Sequence, residues 1–388
     1  MRVLHIGKYY PPYKGGIENF MRDLLKAQKA MGLSVLALVH DHIPGRPTKV
    51  LHDAGIQVVR ASLKTQRLYT PISLAFPRLL RGCIRRFQPD VLHLHLPNPS
   101  VFWNLVMSEA RSIPWVVQWQ SDVVPSSIDR RLRVGYRLYR PLEQTLLRQT
   151  KRVIVASEAY LNHSEPLKPW RSKCGVVRLG VDPDRLPLPD ETQLQAAESE
   201  WKPGKLKVLA VGRLTYYKGF DVLIRAVAQT PGVSVQIVGE GELRKRLGRT
   251  IRGMGLEDQV VLRGEVPDDV LQAVFASCDV VCLPSLERTE AFGVVLLEAI
   301  RYGRVVVASD IPGSAVRWVV ETGECGFLVP PGDENALSSI FQRLMSAPDM
   351  LDALRQRGMG WFEAKFHIGP VAQQIRHVYQ EVVDEWKD

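Results

Sequence analysis

Short apolar runs alternate with longer amphipathic stretches along the whole chain. In the first half the runs are Val3–Ile6, Ser34–His40, Gln57–Val59, Val91–His95, Val116–Gln118 and Val153–Ala156. In the second half they are Lys207–Val211, Val233–Val238, Val260–Arg263, Val280–Leu283 and Arg304–Ala308. The stretches between most of them repeat apolar residues with the period of a helix. Such alternation is typical of parallel sheets with helices on both faces. The sequence therefore predicts an α/β fold class, with two tandem Rossmann-like, doubly wound domains.

An acidic, proline-containing stretch at 187–205 separates the two patterns. We predict an N-terminal domain over 1–188, a linker over 189–204 and a second domain over 205–365. A helical pattern with one apolar face follows over 366–388. Ligands of doubly wound folds bind beyond the carboxyl ends of the strands, so we expect a cleft where the two sets of strand ends face each other.

Composition places the chain among soluble globular proteins. Of its 388 residues 45% are hydrophobic and 24% are charged, which excludes coiled coil, collagen and bulk disorder. No apolar run approaches the ~20 residues of a transmembrane helix, and the N-terminal segment lacks the apolar length of a signal peptide. The five cysteines are an odd number, and the close pair Cys278 and Cys282 lacks zinc spacing. We therefore expect reduced thiols and an intracellular protein.

Charge is divided unevenly between the two halves. Residues 1–190 contain 29 Lys and Arg against 14 Asp and Glu, and residues 191–388 contain 22 against 27. This asymmetry predicts an anionic partner for the first domain. Two arginine-rich stretches, 78–87 and 130–148, also carry apolar and aromatic residues at helical spacing. They suit the surface of an anionic membrane. The alternative is a solvated face on a helix that packs into the core.

Two loops after predicted strands carry groups suited to phosphate. Gly15 and Gly16 precede a predicted helix, whose N-terminal N–H groups attract phosphate, although an ordinary turn has the same composition. Arg213 and Lys218 lie between a strand and a helix. Both cations can reach one diphosphate there, Arg as a bidentate donor and Lys as a point charge. Two solvated loop cations are the alternative.

The stretch LPSLERTEAFGVVLLEAIRYG, residues 283–303, is the most informative part of the chain. A strand ends at Leu283, and a helix begins near Phe292. Glu290 precedes that helix and Glu298 lies about two turns into it, which brings both carboxylates to a similar side. Because Glu298 lies among apolar neighbours, burying it without a partner would be costly. A hydroxyl-bearing ligand or a structural ion pair would supply that partner.

Polar residues also follow two strands of the first half. His95 ends the run VLHLH, and we place His93 on the opposite face of that strand. Gln120 and Asp122 follow the next strand. His95 is a candidate cleft residue or a buried core histidine. Asp122 is a candidate for orienting the substrate or for capping the next helix.

Several catalytic motifs are missing from the sequence. It has no GxxxxGK[ST] loop, GxSxG elbow, HExxH motif or DxD-type acidic pair after a strand. His40 and His42 resemble a metal pair, but no third ligand is evident and we expect a surface loop. The sequence predicts no metal site.

The chain resembles the retaining glycosyltransferases of family 4, which have the GT-B fold of two Rossmann-like domains. The resemblance covers nearly its whole length, with the following segments in the family order: YYPPYKGGIENF, VLHLHLPNP, QWQSDVV, VIVASEAYLNHSEPLKPW, VVRLGVD, VGRLTYYKGFDVLIRA, IVGEGELR, LRGEVPDDVL, LPSLERTEAFGVVLLEAI and GFLVPPGD. It is most similar to bacterial mannosyltransferases of O-antigen and exopolysaccharide assembly, which share YYKG.

The resemblance implies a role for each matching residue. Arg213 and Lys218 would hold the diphosphate leaving group, Glu290 the sugar hydroxyls and Glu298 the ribose hydroxyls. The other donor-binding residues would be Gly15, Gly16, Gly239, Val266, Ala291, Phe292 and Gly293. His95 and Asp122 stay candidates for the acceptor or the cleft. The resemblance also implies that no metal or other cofactor is needed, and that the last helix packs back on the first domain.

One position departs from the family pattern. Gln120 stands where close relatives often carry His, and Gln cannot shuttle a proton near neutral pH. Retaining enzymes of this type are usually described by front-face attack, in which the departing phosphate oxygen accepts the proton. The resemblance therefore still implies activity. We keep Gln120 with the catalytic candidates, and its replacement of His bears on acceptor orientation.

The sequence thus predicts a metal-independent retaining hexosyltransferase that moves mannose from GDP-mannose to a lipid-linked or polysaccharide-precursor acceptor. We place it in the cytoplasm, at the inner face of the plasma membrane. The alternatives are a UDP-sugar donor, a sugar-nucleotide epimerase on the same fold and a non-catalytic nucleotide-sugar binder. RNA binding needs aromatic residues among Lys and Arg on an exposed sheet. Only Tyr136 and Tyr139 hint at this, so we predict no nucleic-acid partner.

Overall fold

The computed structural model describes residues 1–67, 70–123, 130–202 and 206–387. The chain divides into two compact units. Unit 1 consists of Met1–Gly180 and Ile368–Asp388, and unit 2 consists of Val181–His367. Among the described residues, no helix combines the length and the apolar character that crossing a membrane requires.

Unit 1 is built on an eight-stranded sheet with a separate antiparallel pair, β5 and β6. Its strands are β1 (Arg2–Ile6), β2 (Ser34–Pro44), β3 (Lys49–Asp53), β4 (Ile56–Leu63), β5 (Thr65–Arg67), β6 (Thr70–Ile72), β7 (Val91–Leu96), β8 (Trp115–Trp119), β9 (Arg152–Val155) and β10 (Cys174–Val176). The order is β10-β9-β8-β7-β1-β2-β4-β3, and β3 alone runs antiparallel to its neighbour. Burial along all of β7 and β8 is what a sheet covered on both faces requires.

Unit 2 has a six-stranded, wholly parallel sheet. Its strands are β11 (Leu206–Val211), β12 (Val233–Val238), β13 (Val260–Gly264), β14 (Val280–Leu283), β15 (Val305–Ser309) and β16 (Gly326–Val329). Their order is β13-β12-β11-β14-β15-β16. The strand order reverses between β11 and β14, and such a reversal opens a ligand site at the carboxyl ends of the strands.

Helices cover both faces of each sheet. In chain order they are α1 (Gly16–Ala30), α2 (Phe76–Phe87), α3 (Trp103–Val106), α4 (Ser108–Arg111), α5 (Arg130–Gln149), α6 (Glu158–His163), α7 (Glu191–Ser199), α8 (Phe220–Ala228), α9 (Arg244–Gly253), α10 (Asp268–Ser277), α11 (Val294–Arg301), α12 (Val316–Gly323), α13 (Glu334–Ser346), α14 (Pro348–Lys365) and α15 (Ile368–Lys387). The two doubly wound α/β units confirm the predicted fold class. The sequence pattern missed β3, β5, β6, β10 and β16, which are short and incompletely buried.

Residues 189–204, predicted as a linker, contain α7 and lie in unit 2. Asp190 caps α7 in a capping box, and α7 packs against α10. The buried Trp201 donates its Nε1–H to Ser277 Oγ at 2.9 Å. Residues 203–205 lie outside the described part of the chain. Most of α7 is exposed. Exposed helix positions carry polar residues, so the composition of this helix is the same as that of a linker.

The C-terminal helix α15 belongs to unit 1 and packs against α1. Its apolar face, formed by Val371, Ile375, Tyr379 and Val382, is buried. The chain therefore returns to the first sheet after completing unit 2.

The two arginine-rich segments differ in what they expose. In α2 the arginines are exposed, while Leu80, Cys83 and Ile84 are buried. The arginines of residues 78–87 therefore form the solvated face of a helix that packs into the core. Residues 130–148 lie in α5, where Leu138 is 78% exposed. The side chains of the predicted residues Arg130, Leu132 and Arg133 lie outside the described part.

The expectation that His40 lies in a surface loop was wrong. His40 is a buried residue of β2. Its Nδ1 is 2.9 Å from the Lys8 carbonyl oxygen and its Nε2 is 2.9 Å from Ser100 Oγ. Burial lowers the pKa of His40 to about 4. Strand β2 extends four residues beyond the predicted end at His40 and includes His42, so the segment expected to be a loop is strand.

Candidate functional site

Closely packed glycines mark the carboxyl edge of the unit 2 sheet. Gly212 follows β11 and Gly239 follows β12, with φ of 153° and 140°. A Cβ atom at Gly239 would collide with the Gly212 carbonyl oxygen, so the two segments approach more closely than a side chain permits. The Gly264 carbonyl, at the end of β13, accepts a hydrogen bond from Gly239 N at 2.8 Å. Three adjacent strand ends thus carry glycine, whose backbone packs closely against its neighbours.

Lys218 and Glu290 form a buried ion pair at the same edge. Lys218 ends a short 3-10 helix after β11, and Glu290 lies in the loop after β14, the neighbouring strand. Lys218 Nζ lies 2.7 Å from Glu290 Oε2, and each side chain is 11% exposed. Burial is the largest single effect and opposes the charge on Lys218, but the Glu290 carboxylate and Tyr217 together outweigh it, and the pKa of Lys218 is raised. The ammonium group therefore stays charged inside the site.

Two serines hold Glu290 in place. Ser285 Oγ donates to Glu290 Oε2 at 3.0 Å, and Ser314 Oγ donates to the Glu290 carbonyl oxygen at 2.6 Å. Within the described part of the chain, Glu290 Oε1 has no hydrogen-bond partner. Sequence reasoning missed both serines, because a serine in a loop is most often an ordinary turn residue.

The other predicted donor-binding residues of unit 2 lie around this pair. Arg213 is exposed and close enough for its charge to oppose protonation of Lys218. The predicted contacts Ala291, Phe292 and Gly293 immediately precede α11, and Gly293 is the N-cap of that helix. The free N–H groups of a helix start are thus available beside Glu290. Val266 is buried after β13.

Glu298 has a protein partner. Its Oε1 lies 3.1 Å from Arg185 Nη1, and both side chains are 13% exposed. The sequence left two partners open for Glu298, a hydroxyl-bearing ligand and a structural ion pair, and the structure shows the ion pair. Glu298 Oε2 has no hydrogen-bond partner among the described residues, so the ribose-binding role stays a prediction. Arg185 is 113 residues away in sequence, and no local pattern indicates it.

In unit 1, Gly15 caps α1 and Gly16 begins it. Glu18 lies in the first turn and is buried, and a Cβ atom at Gly15 would collide with its carboxylate. An acidic side chain in the first turn is stabilised by the helix dipole. The structure therefore places a carboxylate where the sequence predicts a phosphate, and sequence reasoning overlooked Glu18.

Three histidines meet at the centre of the unit 1 sheet. His5 Nδ1 is 3.1 Å from His95 Nε2, and the rings of His93 and His95 stack with centroids 4.5 Å apart. Placing His93 on the opposite face from His95 was wrong, because residues two apart share a face of a strand. The three are buried, with ring nitrogens within 4.8 Å of one another. Transition metals accept such donors.

Burial keeps these histidines neutral. It lowers the pKa of His5 to about 4, against a hydrogen bond to Gln28. It also lowers the pKa of His93 and of His95 well below the ordinary value, and the neighbouring imidazoles add to the effect.

Gln120 and Asp122 follow β8 as predicted from the sequence, and both are buried. Gln120 Nε2 is 3.4 Å from His95 Nδ1. Asp122 Oδ1 accepts hydrogen bonds from Trp119 Nε1 at 2.8 Å and from Ser164 Oγ at 2.7 Å. These bonds fix the Asp122 side chain just after β8. Residues 124–129, where Asp122 was expected to begin capping a helix, lie outside the described part.

Known proteins match the chain along both units. Residues 15–180 match the glycosyl transferase 4-like domain, and residues 191–361 match the glycosyl transferases group 1. The chain is 32% identical to D-rhamnosyltransferase WbpZ of Pseudomonas aeruginosa, over 91% of this chain and 89% of the relative. The chain belongs to glycosyltransferase family 4.

This glycosyltransferase is also 28% identical to O-antigen chain mannosyltransferase C of Escherichia coli, over 99% of both chains. Its structure matches sucrose-phosphate synthase of Thermosynechococcus elongatus with a TM-score of 0.80 and 22% identity, over 99% of both chains. The fold is therefore GT-B, and the resemblance stated from the sequence is confirmed. In the glycosyltransferase, Lys218, Glu290 and their neighbours belong to unit 2, while His95, Gln120, Gly15 and Gly16 belong to unit 1.

Proposed function

We propose that the chain is a retaining hexosyltransferase that transfers mannose from GDP-mannose to a lipid-linked or polysaccharide-precursor acceptor. The observation that carries the proposal is the Lys218–Glu290 ion pair, buried beside bare glycine backbone at the strand ends of unit 2. This arrangement combines a cation for phosphate with a carboxylate oxygen for sugar hydroxyls. The names of the mannosyl- and rhamnosyltransferase relatives support a hexose and a glycan acceptor.

In the proposed reaction the acceptor hydroxyl attacks the anomeric carbon on the face that the diphosphate leaves. The departing phosphate oxygen takes the hydroxyl proton, so no side chain needs to accept it. Lys218, Arg213 and the N–H groups at the start of α11 stabilise the charge that develops on the diphosphate. Gln120 hydrogen-bonds the acceptor.

A panel of nucleotide sugars tests the proposal, with free GDP and UDP measured with and without a membrane extract. We expect release of GDP from GDP-mannose that increases with the extract. Release from a UDP-sugar alone would assign the alternative donor. Binding without release from any donor would show a non-catalytic nucleotide-sugar binder.

We propose that turnover needs no metal ion, because a lysine and backbone N–H groups are placed where a metal would otherwise neutralise the diphosphate. We expect the rate in excess EDTA to stay within about twofold of the untreated rate. Loss of activity in EDTA that is restored by Mg²⁺ or Mn²⁺ would contradict the proposal. Zn²⁺ restoration would point to the three histidines of unit 1.

We also propose that unit 1 contacts the anionic inner face of the plasma membrane. Helices α3 and α5 expose Trp103, Val106, Leu138 and Leu142, and Phe102 and Tyr139 hold the two segments together, with ring centroids 5.1 Å apart. Arg137 and Arg140 are exposed on α5. Apolar side chains beside arginines suit the interface of an anionic leaflet, where each cation contributes ~1 kcal/mol.

Sedimentation with liposomes tests this contact. We expect binding to phosphatidylglycerol vesicles at low ionic strength and release by about 0.5 M NaCl, because salt screens the attraction. Arg137→Gln with Arg140→Gln should weaken binding several-fold, and Lys245→Gln with Arg246→Gln on α9 of unit 2 serves as the control. Equal binding to neutral vesicles, or no binding to either kind, would contradict the membrane proposal.

A further inference from the structure

A chain of buried hydrogen bonds leads from Gln120 into the core of unit 1. Gln120 Nε2 lies 3.4 Å from His95 Nδ1, and His95 Nε2 lies 3.1 Å from His5 Nδ1. His5 Nε2 lies 2.8 Å from Gln28 Oε1. These side chains are all less than a tenth exposed. The amide that follows β8 is thus linked through two imidazoles to helix α1.

The chain continues to the C-terminal helix. Gln28 Nε2 donates to the Tyr379 hydroxyl at 3.0 Å, and the Tyr379 oxygen lies 2.5 Å from His93 Nδ1. Tyr379 is fully buried on α15, 351 residues from Gln28. Because the Tyr379 oxygen accepts from Gln28, its own hydrogen is available to His93.

Each hydrogen bond in this chain determines the direction of the next one. Gln28 Oε1 can only accept, so His5 carries its hydrogen on Nε2. Since the imidazole is neutral, His5 Nδ1 has no hydrogen and accepts one from His95 Nε2. His95 Nδ1 is then bare and accepts from Gln120 Nε2. Because Gln120 Nε2 faces His95, the carbonyl oxygen Oε1 is the acceptor that Gln120 has for another partner, beside the second hydrogen of Nε2.

A metal ion would have to break this chain. His5 Nδ1 and His95 Nε2 are 3.1 Å apart and share one hydrogen. A metal ion bound to these two nitrogens would have to displace that hydrogen. The hydrogen-bond chain uses all four ring nitrogens of His5 and His95. The geometry therefore favours a hydrogen-bonded network over a metal centre.

We infer that His5, His95, Gln28 and Tyr379 are positioning residues that orient the Gln120 amide, so that its carbonyl oxygen accepts a hydrogen bond from an acceptor hydroxyl. The inference rests on the proposed function for the part that Gln120 plays in transfer. A histidine at position 120 could offer either a donor or an acceptor to the substrate. The network instead fixes which end of the Gln120 amide faces His95, and so turns the carbonyl oxygen away from that ring.

Histidine ring ¹⁵N spectra of the full-length chain test the network without any substrate. We expect His5 and His95 to be neutral and to carry hydrogen on Nε2 at pH 7, with their signals assigned by their loss in His5→Gln and His95→Gln. A hydrogen on Nδ1 of either ring, or a charged ring, would overturn the inference.

The Gln120→Glu variant tests whether the chain transmits direction. A carboxylate can only accept, so His95 must donate through Nδ1 and accept from His5 through Nε2. We expect the hydrogen of His5 to move from Nε2 to Nδ1. If the His5 tautomer is unchanged, the network does not set the orientation of the residue at 120 and the inference fails.

Kinetics of Tyr379→Phe test the consequence for transfer. We expect kcat to fall about 5- to 20-fold with the donor KM within twofold, because loss of the hydroxyl frees Gln28 to turn and so lets Gln120 turn. Tyr302→Phe is the control, since it removes a tyrosine hydroxyl that hydrogen-bonds in unit 2, to the Pro187 carbonyl at 3.2 Å. A Tyr379→Phe rate equal to that of the control would overturn the positioning role. If the parent enzyme releases no GDP, the proposed function is contradicted, and the ¹⁵N spectra alone then test the network.

Discussion

Replacing Lys218 with alanine is expected to lower turnover by a factor of ~10²–10³, the usual loss when one donor to the transition state is removed. Arg213→Ala should lower it by at least ~10² for the same reason. The charge on the diphosphate grows as its bond to the sugar breaks, and these two cations lie at the carboxyl edge where we place that group. Initial rates of GDP release at saturating donor measure the effect. Lys245→Ala, an exposed lysine on α9, is the control.

A loss of activity in Lys218→Ala has to be distinguished from a loss of folding. Removing one partner of a buried ion pair typically costs ~3–5 kcal/mol of folding free energy, and the 11% exposure of the Glu290 side chain leaves it little water. The double variant Lys218→Met with Glu290→Gln leaves no unpaired charge. It should regain most of the thermal stability and stay inactive. Turnover within threefold of the parent in both Lys218→Ala and Arg213→Ala would rule out the diphosphate role.

The sequence was most informative about groups that follow strands. The residues placed Lys218 and Glu290 each after a strand, the family resemblance assigned both to the donor, and the structure joins them at 2.7 Å. Parallel strands bring their carboxyl ends to one edge, so a residue's place after a strand already limits its neighbours. Gly239 came from the family resemblance alone, and its donor-binding role stays a prediction.

Partners supplied by distant segments could not be predicted. Arg185 reaches Glu298 across 113 residues, and Tyr379 reaches Gln28 across 351. These contacts depend on how helices and loops pack after the sheets have formed, which no local pattern records. His93 was misplaced for a different reason, since the two-residue period of a strand already puts it on the face of His95. Residues 189–204 were misread because an exposed helix and a linker share a polar composition.

Replacing Glu290 with glutamine should remove the contact proposed for the donor sugar. Glu290 uses Oε2 for Lys218 and Ser285, which leaves Oε1 to accept from a sugar hydroxyl. In the Glu290→Gln variant an amide nitrogen takes the place of one oxygen, and it donates where the sugar also donates. A hydrogen bond to a charged group contributes ~1.5–3 kcal/mol, so we expect kcat/KM to fall ~10- to 150-fold. Glu287→Gln in the same loop is the control.

Deoxy donors identify which hydroxyl Glu290 binds. The parent enzyme should lose most of its kcat/KM on the donor analogue that lacks the contacted hydroxyl, while the Glu290→Gln variant should lose little more than it already has. Non-additive losses of this kind measure the coupling between the two groups directly. Fully additive losses on every deoxy donor would mean that Glu290 does not touch the sugar. Its carboxylate would then serve to hold Lys218 in its charged, diphosphate-facing position, and the Glu290→Gln variant would show the same donor discrimination as the parent.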